Sequence, residues 1–130
     1  MVLLEYLSIY VFGGIGYGSL EILWRGRTHW TMIVTGGVCS VLMYLIATRS
    51  REPLWKKWIM SAAVISAAEF AVGCVVNLKL GWNVWDYSAM PLNLMGQICP
   101  LFSFFWLCLS IPGIFISQLI KKYVFPEISK

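Results

Sequence analysis

Four long apolar runs, separated by short polar segments, make up most of this chain. The runs cover residues 2–24, 30–48, 58–80 and roughly 92–120. A helix needs about 20 apolar residues to cross the hydrocarbon core of a bilayer, which is about 30 Å thick. The pattern therefore predicts an all-α fold, with residues 1–130 forming a single domain that is a polytopic bundle of four transmembrane helices. The first run has Glu5 where a secretory signal would have basic residues, so we interpret it as a retained span.

The composition agrees with a membrane location. Of the 130 residues, 59% are hydrophobic and 12% are charged, whereas a typical soluble domain has about 25% charged residues. The net charge of +4 comes from basic residues near the ends of the apolar runs, where they can contact anionic lipid headgroups. We therefore expect membrane lipids, and no nucleic acid, among the partners.

The basic residues are distributed unequally between the two sides of the predicted bundle. The side with both termini and the middle loop carries seven of them, which are Arg49, Arg51, Lys56, Lys57, Lys121, Lys122 and Lys130. The other side carries three, which are Arg25, Arg27 and Lys79. Because basic residues accumulate in cytoplasmic loops, we predict a multi-pass protein of the cell (plasma) membrane with both termini in the cytoplasm. The segment "WNVWDYSAMPLN", residues 82–93, then faces outward.

The third run contains a carboxyl group near its middle. Glu69 lies on one helical stripe with Ala62, Ser66 and Gly73, at spacings of four, three and four residues. A charged side chain at that depth is costly unless it is protonated, paired or hydrated, so it normally faces the bundle interior and marks a functional site. The alternative is that Glu69 only ties two helices together through hydrogen bonds.

The first run combines small residues with a second carboxyl group. Gly14 and Gly18 form a GxxxG pair, which predicts close contact with another helix of the bundle or of a second copy. Glu21 follows on the same face, and its spacing from Arg25 also fits an interfacial ion pair.

The fourth run has the most polar face in the chain. Its polar and small residues recur every three or four positions, and they are Asn93, Gly96, Gln97, Pro100, Ser103 and Ser110. Within a helix, Pro100 would remove a backbone hydrogen bond and produce a kink. We predict an intramembrane polar site formed by Glu21, Glu69, Asn93 and Gln97.

No recognised catalytic pattern is present in the sequence. There is one histidine, the four cysteines lack metal-site spacing, and the glycines of "GGIGYG" lie in an apolar helix instead of a phosphate-binding loop. We therefore expect no cofactor, no metal site and no enzymatic activity.

Three sequence segments, "AAEFAVG", "WDYSAMPLNLMGQIC" and "SFFW", resemble the family described as putative ABC-transporter type IV, the CmpB-like small integral membrane proteins. The matching positions are Glu69, Gly73, Trp85, Asp86, Tyr87, Ser88, Pro91, Asn93, Gly96, Ile98, Cys99, Ser103 and Trp106, with Gly16, Tyr17 and Glu21 in the first run. The resemblance extends from about residue 10 to about residue 110. It departs from the family pattern at Gln97, where an arginine is expected, and it lacks the family's Gly-Pro and Pro-Ile-Tyr-Gly elements after the first span.

The resemblance implies a transporter permease and gives the loop motif a role at the outer mouth of the bundle. In this interpretation Asp86 and Ser88 cap the fourth helix, and Pro91 lies just before its start. Asn93 and Gln97 then face the same polar core as Glu69. The small residues assigned to helix packing are Gly14, Gly18, Gly73 and Gly96.

Three functions remain open on the sequence. The first is a permease-like or channel-like subunit, as a homo-oligomer or in a larger membrane complex with or without an ATP-binding subunit. The second is a small non-transporting protein that stabilises or regulates a partner complex through its GxxxG face. The third is a lipid-acting membrane enzyme that uses Asp86 and Glu69 as acid and base, and we rank it last.

Overall fold

The described part of the chain forms four helices, with short connections after the first two and a longer one before the fourth. The computed structural model describes residues 2–26, 29–82 and 84–126, without the side chains of Val2, Trp24 and Arg25. The helices are α1 (Val2–Arg25), α2 (Trp30–Arg49), α3 (Leu54–Gly73) and α4 (Pro100–Tyr123), and α3 continues into a π-helical segment, Cys74–Lys79. Apart from an isolated bridge between Leu94 and Ile98, the described ranges contain no strand pairing. The predicted all-α fold is confirmed.

The helices pack as an antiparallel bundle. α1 lies against α2, which in turn packs on both α3 and α4, and α3 packs along α4. At one end of the bundle, Lys121 near the end of α4 binds Glu5 near the start of α1. At the same end, Lys57 at the start of α3 donates a hydrogen bond to the Ala47 carbonyl near the end of α2. These contacts place the beginning of α1 and the end of α4 side by side.

Three of the four helices are long and apolar enough to cross a membrane, judged by length and composition. They are α2, α4 and the continuous helix Leu54–Lys79. α1 is as long as α4, with 24 residues, but it contains Glu5, Glu21 and four glycines. Its outward side chains are nevertheless large and apolar, and Phe12 and Leu23 are 74% and 83% exposed. Such an exterior suits lipid and not water, so the protein is a membrane protein.

The start of the fourth helix differs from the sequence prediction. We predicted a helix from about residue 92, but α4 begins at Pro100, and residues 80–82 and 84–99 belong to a folded connection that we call the α3–α4 loop. Pro100 occupies the first turn of α4, where the missing backbone N–H needs no helical partner. The predicted kink at Pro100 is therefore wrong.

Candidate functional site

The buried carboxyl group of Glu69 lies where α3, α4 and the α3–α4 loop meet. Glu69 is 4% exposed and belongs to the inward stripe of α3, which recurs every four residues. Its Oε2 accepts a hydrogen bond from the Tyr87 hydroxyl at 3.0 Å, and its Oε1 accepts one from Trp106 Nε1 at 3.3 Å. The loop and α4 are thus joined through one carboxyl group.

Several aromatic rings lie beside this carboxyl group or pack on the rings that bind it, and we call Tyr17, Tyr87, Phe102 and Trp106 the aromatic cluster. The Tyr17 and Trp106 rings lie 5.7 Å apart, and the Tyr87 and Phe102 rings stack with their centroids 4.7 Å apart. The cluster brings α1, α4 and the loop together around one residue of α3.

The second predicted carboxyl group joins the same site from α1. Tyr17 donates a hydrogen bond to Glu21 Oε1 at 2.9 Å, and Glu21 is buried. Glu21 is also near enough to Glu69 for the two groups to interact electrostatically. The predicted pair between Glu21 and Arg25 lies outside the described residues, because the Arg25 side chain is not described.

One turn from Glu69, two serine hydroxyls connect α3 and α4. Ser66 Oγ and Ser103 Oγ are 2.8 Å apart, so the polar stripe that the spacing predicted on α3 meets a polar residue of α4. Hydroxyl pairs of this kind stabilise helix contacts inside membranes by about 1 kcal/mol.

The α3–α4 loop is anchored on the end of α3 by Gln97. Gln97 is 2% exposed, and its Oε1 accepts a hydrogen bond from Asn77 Nδ2 at 2.8 Å. Its carbonyl accepts a further bond from Trp85 Nε1 at 3.0 Å. A Cβ at Gly73 would collide with Gln97 Oε1 and lie 2.9 Å from Trp85 Cζ2. Gly73 therefore permits close approach of the loop, and Gln97 contacts α3 one turn beyond Glu69 instead of Glu69 itself.

Hydrogen bonds within the loop fix its shape. Asn93 Oδ1 accepts from the Gly96 N–H at 2.8 Å, and Asn93 Nδ2 donates to the Met90 carbonyl at 2.9 Å. The Gly96 carbonyl accepts from the Tyr87 N–H at 2.7 Å, and Gly96 has a φ of +74°, which favours glycine. Asn93 thus shapes the loop that presents Tyr87. Its described hydrogen bonds go to the loop, whereas we predicted that it faces Glu69.

Asp86 is the exposed acidic residue beside Tyr87. Its Oδ1 accepts a hydrogen bond from the Ser88 N–H at 2.9 Å. Hydrogen bonds from the Ser88 side chain and backbone lower the pKa of Asp86 below its usual value. Asp86 is therefore ionised at neutral pH.

The predicted capping of α4 by the loop motif is wrong. The residue before α4 is Cys99, whose side chain makes no capping hydrogen bond. Asp86 and Ser88 lie more than ten residues before Pro100 and bond to each other, and Pro91 belongs to a turn within the loop. Gly96, which we assigned to helix packing, also lies in this loop.

The GxxxG residues of α1 face α2 of the same chain. A Cβ at Gly14 would lie 2.8 Å from the Ile33 carbonyl oxygen, and a Cβ at Gly18 would lie 3.0 Å from Ile33 Cγ1. Of the two contacts that the sequence left open, the structure has the one within the bundle.

A second polar cluster lies at the opposite end of the bundle, and sequence reasoning missed it. Glu5 is buried there and accepts hydrogen bonds from the Tyr44 hydroxyl and from Lys121 Nζ, the latter at 3.0 Å. Glu5 in an apolar run was a signal that we used only to exclude a signal peptide. Asn77, another missed residue, stands alone among apolar neighbours in "VVNLK".

The described residues contain no group of three His, Cys, Asp or Glu side chains that could bind a metal ion. All four cysteines lie within the described ranges as free thiols. The chemistry that this arrangement offers is a pair of buried carboxyl groups, aromatic rings, and the phenol and indole donors that bind Glu69.

Comparison with known proteins identifies the family of the chain. No curated protein and no solved structure is detectably similar to the chain. The model of the family described as Putative ABC-transporter type IV matches residues 5–130. The match includes all four helices and the α3–α4 loop, as the resemblance of the loop motif predicted. This chain therefore belongs to the Putative ABC-transporter type IV family of transport-related membrane proteins.

Proposed function

We propose that this chain is a permease-like subunit of a membrane transport system, with Glu69 and Glu21 forming a site for a cationic solute below the α3–α4 loop. The observation that supports this most directly is the link from exposed to buried carboxyl groups. Asp86 is exposed, the next residue is Tyr87, and Tyr87 binds the buried Glu69. Tyr87 therefore connects the buried carboxyl group to a loop that carries an exposed carboxylate.

Electrostatics favour a cation at this site. Asp86 stays ionised because Ser88 lowers its pKa, and an exposed negative charge raises the local concentration of cations. Glu69 and Glu21 then supply negative charge, or proton-binding groups, within the bundle. Buried ionisable groups of this kind mark ion and substrate pathways in membrane proteins.

Movement of the α3–α4 loop is the proposed opening step. Its release requires loss of the Tyr87–Glu69 hydrogen bond and of the Tyr87–Phe102 stacking. Asn93 and Gln97 keep the loop folded during this step, because their hydrogen bonds lie within the loop and to Asn77. Their proposed role is to position Tyr87, in place of the path-lining role that the sequence suggested.

The topology and assembly belong to the same proposal. We propose four spans in the plasma membrane with both termini in the cytoplasm, based on the distribution of Lys and Arg. Four helices provide few side chains to line a water-filled path, so we propose a homo-oligomer or a larger complex with an ATP-binding subunit. The native mass of the gently extracted complex, with identification of the co-purifying chains, tests this assembly: a stoichiometric ATP-binding chain supports it, and a monomer contradicts it.

The two other functions receive less support. A partner-stabilising role through the GxxxG face competes with the contacts of Gly14 and Gly18 with α2. Acid–base catalysis requires two groups that converge on one substrate, whereas Asp86 is exposed, Glu69 is buried and Tyr87 lies between them.

Substitution of Glu69 by Gln tests the proposed function, because Gln keeps the size of the side chain and removes its charge. The complex extracted from its own membrane is reconstituted in vesicles, and uptake of K⁺, Na⁺ and tetraethylammonium is measured. We expect Glu69→Gln to lower uptake of at least one of these cations by tenfold or more. Glu52→Gln is the matched control, since Glu52 is exposed and pairs only with Lys56 among the described residues. Equal uptake by the wild type and Glu69→Gln for all three cations would contradict the proposal.

A further inference from the structure

We infer that the solute of this site is a lipophilic organic cation, such as a quaternary ammonium or phosphonium ion, and not an inorganic ion. This inference rests on the proposed function, because it names the substrate class of the same site. It comes from what surrounds Glu69: aromatic rings and neutral donors within a bundle of four helices.

The aromatic cluster places several rings beside Glu69, as an organic cation would require. Rings come from three separate elements, with Tyr17 in α1, Tyr87 in the loop and Trp106 in α4. Aromatic faces attract cations, tryptophan most strongly, and the attraction grows when the cation is desolvated, as it is for quaternary ammonium groups in aromatic cages. Tyr17 and Trp106 lie beside each other, and both also bind a carboxyl group.

The described hydrogen-bond partners of Glu69 are uncharged. A ligand or a proton would therefore have to neutralise its carboxylate. In the described ranges, the two groups that bind Glu69 are a phenol and an indole, and both are neutral. The salt bridges between Lys56 and Glu52 and between Lys121 and Glu5 involve other carboxylates than Glu69. Transfer of a cation to Glu69 therefore needs displacement of a neutral donor and not of a bound lysine or arginine.

The same surroundings fit an inorganic ion poorly. Calcium takes six to eight oxygen ligands and magnesium requires an octahedral set. The described neighbours bonded to Glu69 are a phenol and an indole, which are hydrogen-bond donors, and the described part of the chain has no cluster of three metal-binding side chains. An organic cation has no tightly bound water shell to replace, so rings and one or two carboxylates suffice.

Movement of Tyr87 would let a ligand take the place of the Tyr87 side chain beside Glu69. The Tyr87 ring is half-buried and stacks on Phe102, while its hydroxyl binds Glu69 Oε2. When the loop lifts, a cation can contact Glu69 where the hydroxyl was, with Trp106 and Tyr17 still in place on α4 and α1. The exposed Asp86 beside Tyr87 lies at the entrance of this route.

Binding of tetraphenylphosphonium to the purified full-length protein tests the inference by isothermal titration calorimetry. We expect Glu69→Gln and Trp106→Leu each to raise the Kd at least tenfold. Two matched controls, Glu52→Gln and Trp55→Leu, change an exposed carboxylate and an exposed tryptophan, and we expect them to leave the Kd within twofold of the wild type. Equal Kd values for the wild type and Glu69→Gln would overturn the inference.

A second measurement needs no substitution at Glu69. With 5-fluorotryptophan incorporated into the wild type, the ¹⁹F resonance of Trp106 should shift on titration with tetraphenylphosphonium, while that of Trp55 stays fixed. A Trp106 resonance that does not move during the titration would overturn the inference. Trp106→Phe provides the assignment of that resonance.

The inference and the proposed function fail in different ways. Glu69-dependent uptake of K⁺ or Na⁺, without binding of tetraphenylphosphonium, would overturn the organic-cation inference and leave the transport proposal standing. Glu69-dependent binding of tetraphenylphosphonium, without Glu69-dependent uptake of any cation by the reconstituted complex, would overturn the transport proposal and leave the cation site standing.

Discussion

At the scale of single residues, the hydroxyl group of Tyr87 is the contact between the α3–α4 loop and Glu69. Tyr87→Phe keeps the stacking on Phe102 and removes the hydrogen bond to the carboxyl group. Loss of one such bond to a carboxyl group costs about 1–3 kcal/mol, so we expect faster amide exchange of residues 85–97 in detergent. Hydrogen exchange with mass spectrometry measures this change, and Tyr123→Phe, at an exposed tyrosine, is the control. Unchanged exchange in Tyr87→Phe would show that this bond does not hold the loop.

The charge of Asp86 is a second prediction at this scale. The folded-state pKa of Asp86 is lowered, first by its hydrogen bond with the Ser88 side chain and then by the Ser88 N–H. The ionised Asp86 carboxylate therefore stabilises the folded protein above the ordinary aspartate pKa of about 3.9. This stabilisation is lost as the pH falls through the lower pKa that Asp86 has in the folded state. Carbon-13 NMR titration of the Asp86 carboxyl group should give a pKa below 3.9. Ser88→Ala should raise that pKa, and an identical pKa in both proteins would contradict the assignment.

Residue type showed where the site is, but not which side chains meet there. The sequence identified Glu69 and Glu21 as unusual, because carboxyl groups are costly within apolar runs, and it identified the motif with Asp86 and Tyr87 by its resemblance to the family. It could not show that Trp106 and Tyr87 are the donors to Glu69. The bond from Trp106, 37 positions away, depends on how two helices are rotated against each other, and the bond from Tyr87 depends on how the loop folds.

At the scale of helices, glycine spacing in α1 determines its approach to α2. Gly14→Ala would place a methyl group 2.8 Å from a backbone oxygen of α2, whereas the same change at Gly16 meets no atom within 4 Å. Overpacking costs about 1–3 kcal/mol, while alanine in an open helical position gains about 1 kcal/mol over glycine. We expect Gly14→Ala to unfold at lower denaturant concentration than the wild type, and Gly16→Ala at equal or higher concentration. Equal stability of the two variants would contradict the α1–α2 contact.

The helices themselves could be predicted from apolar runs, with one exception that has a clear cause. Residues 92–99 contain leucine, methionine and polar residues at helix-like spacing, but Leu92, Met95 and Gly96 all have φ near +56° to +74°. These left-handed conformations end any helical continuation. The same polar spacing that suggested a helical face serves hydrogen bonds within a compact loop, since Asn93 binds Gly96 three residues later. Periodicity cannot distinguish these two uses.

At the scale of the whole molecule, the first and last helices are joined by a partly buried ion pair. Lys121 Nζ lies 3.0 Å from Glu5 Oε2, and Tyr44 of α2 binds the same carboxyl group. Lys121→Met should lower the free energy of unfolding by about 2 kcal/mol, because it removes a hydrogen bond to a charged group and leaves Glu5 unpaired with a cation. Lys122→Met is the matched control, since Lys122 is exposed and lies over the Tyr123 ring. Equal loss of stability in both variants would contradict a specific role for the pair.

The buried carboxyl groups at the two ends of the bundle have different partners. At the end with both termini, Glu5 is paired with a fixed cation, Lys121. Beside the α3–α4 loop, the described partners of Glu69 are neutral rings. A paired carboxylate stabilises one arrangement of helices, whereas a carboxyl group with neutral partners can exchange them for a proton or a cation. We therefore place the proposed solute site at the loop end.

Chemical modification of Glu69 tests the central claim most directly. Dicyclohexylcarbodiimide, a lipid-soluble reagent for carboxyl groups in membranes, is added to vesicles that contain the reconstituted complex. Peptide mass spectrometry then gives the fraction of Glu69 modified, and cation uptake is measured on the same sample. If Glu69 is the transport site, the fraction of uptake lost equals the fraction of Glu69 modified, and Glu69→Gln shows no further loss on treatment. Complete modification of Glu69 with unchanged uptake would show that this carboxyl group only ties the helices together.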